Sequence, residues 1–114
     1  MIWRMTADEF REIALGFPET EERSHMDHPD FRIGGKIFAT LTDDETVGMT
    51  KLTPEQQQNF LRMEPGSFTP ASGAWGARGA TMIKLANADE DAVREALRAA
   101  WSNTAPKKLL RDEK

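Results

Sequence analysis

Two histidines flanked by acids, His25 and His28 with Asp27 and Asp30, are the first residues in this chain with metal chemistry in them. The spacing H-x-x-H suits a helix face, where residues three apart are neighbours. Pro29 and the surrounding alternation instead predict an extended strand, in which positions 25 and 28 point to opposite faces. The chain has 2 histidines and 0 cysteines, so no third ligand of either kind completes a soft site. No metal and no cofactor are expected. Nucleophilic catalysis needs a hydroxyl beside a base and an orienting group. Ser24 and His25 are adjacent, so on a strand their side chains diverge, while Ser67 and Ser72 lie in a loop with no base in view. The glycines at 73, 76 and 79 precede a predicted strand rather than the helix a phosphate loop requires. Glu21 and Glu22 read as a solvated acidic strand start. No catalytic residue is assigned, and the chain is expected to bind rather than catalyse.

Charge distribution points further. The formal net charge is −4, which argues against a generally basic nucleic-acid binder but allows a local patch. Residues 1–22 hold six acids and two bases, whereas residues 46–88 hold Lys51, Arg62, Arg78 and Lys84 against Glu55 and Glu64. Acids gather at helix starts and turns, and the sheet and its loops are mildly basic. A sheet face or hairpin tips carrying Arg32, Lys36, Lys51, Arg78 and Lys84 could follow a phosphate backbone. Ordinary solubilising charges on an open antiparallel face account for the same residues. Of the 3 tryptophans, Trp101 belongs to a helical core stripe, and Trp3 staples the N-terminal segment or the first helix. Trp75, between small residues in a glycine-rich segment, is either a recognition anchor or a ring folded back over an edge of the core.

The elements that position these groups are marked clearly. Thr6 to Glu9 is a capping box, followed by Phe10, Ile13, Ala14 and Phe17 at helical spacing. Thr53 to Gln56 is a second, with Pro54 at the first helical position. A third helix is predicted to begin near Asn87 and carries Val93, Leu97, Ala100 and Trp101 on one stripe. Between the first two helices the period changes to 2. Phe31–Ile33 and Lys36–Leu41 flank Gly34-Gly35, a hairpin signal. Thr46–Lys51 and Ala80–Leu85 read as strands, and a weaker one lies within Glu22–His28. Pro65–Gly79 is a long hairpin or an ordered surface loop. The expected fold is α+β, an antiparallel sheet packed against helices in the rough order α-β-β-β-β-α-β-β-α. At 114 residues and 39% hydrophobic content it makes a single domain over residues 1–110, with periodicity lost after Pro106 and a frayed tail at 111–114. Asp8 and Glu9 follow Met1-Ile2-Trp3-Arg4 too closely for a signal peptide, and no apolar run has the roughly 18 residues of a membrane span. With no cysteine, a cytoplasmic location is expected, and no membrane partner.

Several segments together resemble the MmcQ/YjbR family. They are Phe17-Pro18-Glu19, Ser24-His25, the run from Pro29 to Leu41, Pro70 with Gly73-Ala74-Trp75-Gly76, Lys84-Leu85, and Trp101 with Ala105-Pro106-Lys107. The run F-R-I-G-G-K-I-F-A is the most specific of these. The resemblance covers roughly residues 6 to 110 and implies a small α+β fold similar to the frataxin-like (CyaY-like) fold. It further implies DNA as a partner, through a double wing mapping to the Gly34-Gly35 hairpin and the Gly73–Gly79 segment, with Arg32, Lys36 and Arg78 on phosphates. The frataxin likeness would put iron on an acidic first-helix ridge, here Asp8, Glu9 and Glu12, three carboxylates that a capped helix explains without a metal. The reading carried forward is a binding domain with DNA as partner. The alternative is a protein-interaction or small-ligand module using the Trp75 loop.

Overall fold

Alternation along the middle of the chain becomes a six-stranded antiparallel sheet, in the order β1-β2-β3-β4-β6-β5. The computed structural model describes residues 5–112, so the expectations for Trp3 and the first four residues lie outside it. Its helices are α1 (Ala7–Leu15), α2 (Pro54–Met63), α3 (Gly73–Ala77), α4 (Glu90–Thr104) and α5 (Lys107–Asp112). Its strands are β1 (Thr20–His25), β2 (His28–Ile33), β3 (Lys36–Leu41), β4 (Val47–Lys51), β5 (Phe68–Pro70) and β6 (Ala80–Lys84). Strands β1 to β4 form a meander, and β6 then inserts between β4 and β5.

Both capping boxes form as their sequences require. The Glu9 amide donates to Thr6 Oγ1 at 3.2 Å while Glu9 accepts from the Thr6 amide at 2.9 Å, and Thr53 and Gln56 make the same exchange at 3.1 and 2.9 Å. Helix α4 starts later than predicted. Its N-cap is Asp89, which accepts from the Asp91 and Ala92 amides, and Asn87 instead closes a 3₁₀ turn over Leu85–Asn87. Gly34 and Gly35 both have positive φ, 61° and 79°, the conformation a two-residue hairpin loop of type I′ demands.

Helices α1 and α4 cover one face of the sheet. Phe31, Ile33, Ala39, Leu41, Ile83 and Phe68 point into that layer and meet Phe10, Ile13, Val93, Leu97 and Trp101. Phe10 and Phe31 pack edge to face at 6.0 Å, and Phe17 stacks on Trp101 at 6.0 Å. The Trp101 indole N–H donates to the Pro18 carbonyl at 3.2 Å, so its single donor is satisfied in the core. A β-bulge opposite Phe31/Arg32 leaves Phe38 without a partner on β2. That extra residue lets Phe38 and Ala39 both be buried and sets Ile37 opposite Arg32 on the other face.

The segment Pro65–Gly79 combines the two predicted alternatives. Phe68–Pro70 pairs with β6 as a short edge strand, and the connection between them coils into α3. Where the sequence predicts lost periodicity after Pro106, the chain turns once more into α5, with Leu109 and Leu110 packed against the core. Pro106 stops α4, and the two leucines supply the apolar contact that holds the next helix. Among the described residues, no helix is long and apolar enough to cross a membrane.

Candidate functional site

The face of the sheet away from α1 and α4 carries the alternate residues of the same strands. Register places Thr40 beside Met49, Met49 beside Met82 and Lys51 beside Ala80 on that face. Helix α3 overhangs it and holds Trp75 there at 62% exposure. Trp75, Ile37, Met49, Ala71, Ala80 and Lys51 line a hollow of about 330 Å³, with Thr40 and Ser72 adding hydroxyl groups. The Lys51 ammonium stands 5.6 Å from the Trp75 ring centroid, a cation–π contact worth roughly 0.5–1 kcal/mol at an exposed site.

Trp75 is held from beneath. Gln57 of α2, only 5% exposed, donates through Nε2 to the Gly76 and Ala80 carbonyls, both at 3.0 Å. This clamps α3 to the start of β6. The backbone approach is close enough to require glycine: a Cβ at Gly76 would lie 1.7 Å from the Ala71 carbonyl oxygen, and one at Gly79 would lie 1.9 Å from that of Leu52. Lys51 is fixed at its own backbone, whose carbonyl accepts from Asn103 Nδ2 at 3.1 Å. Asn103 also donates to Gln56 Oε1 at 2.8 Å, tying the end of α4 to the α2 capping box.

Two further hollows continue from the first around the end of the sheet. One, of about 450 Å³, is lined by Arg32, Gly35, Lys36, Ile37, Lys51, Asn103 and Thr104. The next, of about 370 Å³, adds Pro106 and Lys107 beside Lys36. The three share Ile37, Lys51 or Lys36, so they form one trough from Trp75 to Lys107. Among the described residues, none that lines them is acidic.

Of the predicted site residues, the fold brings Arg32, Lys36, Lys51 and Trp75 together. It separates the other two. Lys84 lies at the far end of β6, opposite Val47, roughly 13 Å along the strand from Ala80. Arg78 caps the C-terminal end of α3 and lines none of these hollows. Arg32 is also partly committed. Its Nε and one terminal nitrogen donate to the two oxygens of Asp30 at 2.8 and 3.1 Å, and the Asp30 side chain is fully buried. That hydrogen bond, ahead of other influences, raises the Arg32 pKa above its ordinary value. Removing Arg32 takes two charge-assisted hydrogen bonds from a buried carboxylate, so its substitution tests stability as much as binding. Lys107, Asn103 and Gln57 were not legible as site residues, because the helix carrying Lys107 and the contacts of the other two arise only on folding.

The remaining candidates resolve differently. His25 and His28 stand opposite one another on β1 and β2, across a turn in which Met26 and Asp27 have φ of 49° and 67°. The premise that both occupy one strand is thus corrected: a second tight hairpin separates them. Ser67 Oγ donates to the Asn87 carbonyl at 2.9 Å, holding two loops together. Glu22 pairs with Arg11 and Glu21 with Arg23. Asp8 also pairs with Arg11, and Glu9 serves the capping box, so two of the first-helix acids have structural partners. No group of three or more histidine, aspartate or glutamate side chains able to hold a metal ion occurs among the described residues.

The double-wing mapping changes shape as well. The Gly34-Gly35 turn sits against Pro106, 3.6 Å from a Cβ built on Gly34, and the Gly73–Gly79 wing is a short helix rather than a hairpin. Both elements nevertheless border the same trough.

The YjbR family model matches residues 15–103, which span the whole sheet and most of α4. The chain belongs to the YjbR family. No curated protein matches it by sequence. Among solved structures, this YjbR domain is similar to Deinococcus radiodurans protein DR2400, a DUF419 domain. The TM-score is 0.72 at 19% identity, over 86% of this chain and 77% of that one. At that identity the likeness concerns the fold: an antiparallel sheet with helices packed against it.

Proposed function

We propose that this YjbR domain is a non-enzymatic nucleic-acid-binding domain that uses the open face and end of its sheet. The observation that carries this reading is the convergence of an exposed Trp75 with Lys51, Lys36 and Lys107 along one trough that, among the described residues, has no acidic lining. Non-specific nucleic-acid binders combine these two features, cations that follow phosphates and an aromatic ring on which a base stacks. Stacking is worth roughly 1–3 kcal/mol per base, which exceeds the cation–π contact that Lys51 would give up.

The net charge of −4 opposes this reading less than it suggests. Asp8, Glu9 and Glu12 lie on α1, behind the sheet, and Asp43 to Glu45 form the β3–β4 turn at the far end of β4 from Lys51. Exposed charges more than about 8 Å apart are largely screened at physiological salt. The turn and Lys51 are separated by the length of β4, roughly 13 Å. Glu21, opposite Arg32 in register, limits the trough on the β1 side. The frataxin-like arrangement implied by the family resemblance belongs to this same proposal, as does a cytoplasmic setting, which rests on the absence of cysteine.

Anisotropy titrations of labelled oligonucleotides at about 50 and 200 mM salt test the reading. Three lysines on single-strand phosphates give a slope near −2 in log affinity against log salt, so binding should weaken roughly 20-fold across that range. The double substitution Lys36→Ala/Lys51→Ala should flatten the slope to about a third. Absence of binding at the lower salt overturns the reading. A protein or small-molecule partner seated on the mostly apolar Trp75 hollow is the second reading. It predicts binding that responds weakly to salt and collapses on Trp75→Ala.

A further inference from the structure

We infer that the hollow beside Trp75 receives one unpaired nucleobase, so that the domain selects single-stranded over duplex nucleic acid. This rests on the nucleic-acid reading above and adds the form of the ligand. Size comes first. The volume of about 330 Å³ sits at the low end for small-ligand sites, which is room for one base and not for a stretch of helix. Shape and chemistry agree: Ile37, Met49, Ala71 and Ala80 offer apolar contact to a planar ring, and Trp75 offers a stacking surface. The Thr40 and Ser72 hydroxyls line the same hollow and can donate to or accept from a base edge.

Charge then decides the occupant. Lys51 lines both the Trp75 hollow and the neighbouring cationic one, so a base in the first places its own phosphate within the reach of that side chain. Lys36 and Lys107 continue the cationic path for the next phosphates. An uncharged apolar ligand would leave these lysines unused. A regular duplex keeps its bases stacked inside and reaches the hollow only by extruding one, at the cost of unpairing. A single strand presents the base without that cost.

The platform is built in advance. The two hydrogen bonds from Gln57 and the backbone approaches at Gly76 and Gly79 fix α3 before any ligand arrives. The ordering penalty on binding therefore falls on the strand and on the lysine side chains that meet its phosphates, not on α3.

The test uses the full chain and three labelled probes of equal length at about 50 mM salt: a thymidine single strand, its duplex, and an abasic single strand with the same phosphates. The expected result is single-strand affinity at least tenfold above both the duplex and the abasic strand. Trp75→Ala should erase that difference and leave the residual salt-dependent binding, while Trp75→Phe should keep most of it. Equal affinity for thymidine and abasic strands, or an unchanged preference in Trp75→Ala, overturns the base pocket while the phosphate reading stands. Failure of all three probes to bind overturns both. Unchanged melting temperature in Trp75→Ala, checked by circular dichroism, separates loss of the pocket from loss of the fold.

Discussion

The two faces of one sheet follow opposite rules. On the helix-covered face, Phe31, Ile33, Leu41 and Ile83 are almost wholly buried and meet Trp101 and Phe10 in a continuous apolar layer. On the open face, one residue along on the same strands, Arg32, Thr40, Met49 and Met82 are only half-buried, and Lys51 and Trp75 stand over them. A period of two lets the same strands separate a stability function from a surface function. The difference implies that a side chain lost from one face should be felt little on the other.

The sharpest way to break that separation is Trp101→Ala. Removing a fully buried indole should cost about 3–5 kcal/mol, and at roughly 4 °C per kcal/mol the melting temperature should fall by at least about 12 °C. Oligonucleotide affinity of the remaining folded protein should stay the same. Next is Gly76→Ala, where the new methyl group meets the Ala71 carbonyl and α3 must shift. A stability loss of about 1–3 kcal/mol is expected, together with loss of binding, because this residue belongs to the support of the open face. Urea denaturation and anisotropy on the same samples would show whether the two effects go together. Trp75→Ala is the inverse of Trp101→Ala: within about 0.5 kcal/mol in stability, since the ring is mostly exposed, but tenfold or more in single-strand affinity. A large fall in melting temperature would mean that Trp75 serves the core after all.

The smallest effect belongs to the β3–β4 turn. Asp44 accepts from the Thr42 and Thr46 hydroxyls and the Thr46 amide at 2.6, 2.9 and 3.1 Å, and these bonds, that from Thr42 first, hold its pKa below the ordinary aspartate value. A lowered folded-state pKa adds stability above the unfolded value of about 3.9, and that gain is lost as pH falls through the folded value. Wild type should therefore melt slightly above Asp44→Asn at pH 7, with the gap closing in acid below about pH 4. Oligonucleotide binding at neutral pH should not change, because the turn lies at the opposite end of the sheet from Lys51. An affinity change there would show that the two ends are coupled.

Much of the fold was legible because its signals are local. A capping box, a Gly-Gly hairpin and a helical stripe each need only a few neighbouring residues, and each formed where the sequence placed it. The start of α4 was misplaced by two residues because Asn87 and Asp89 are both good caps; the 3₁₀ turn after β6 left the role to Asp89. Helix α3 was hidden because its glycines argue against helix locally, and only the clamp from Gln57 and the tight approach to Ala71 and Leu52 give them a purpose. Helix α5 was hidden for a related reason: six residues have little helical tendency alone, and Leu109 and Leu110 become an apolar anchor only against a core already formed.

The site divides along the same line. Residue types alone identified Arg32, Lys36, Lys51, Arg78, Lys84 and Trp75 as candidates, because charge and aromaticity are properties of single residues. Which of them act together depended on distance in space. The bulge at Phe38, the insertion of β6 beside β4 and the return of α4 and α5 to the sheet's end joined Trp75 and Lys51 to Lys36 and Lys107. The same arrangement left Lys84 and Arg78 apart. The sequence by itself determined the α+β class, the starts of α1 and α2, the Gly34-Gly35 hairpin and the family, since each rests on short-range pattern. Only the tertiary structure decided the trough, because its residues come from β2, β3, β4, β6, α3, α4 and α5, and long-range packing sets their separations.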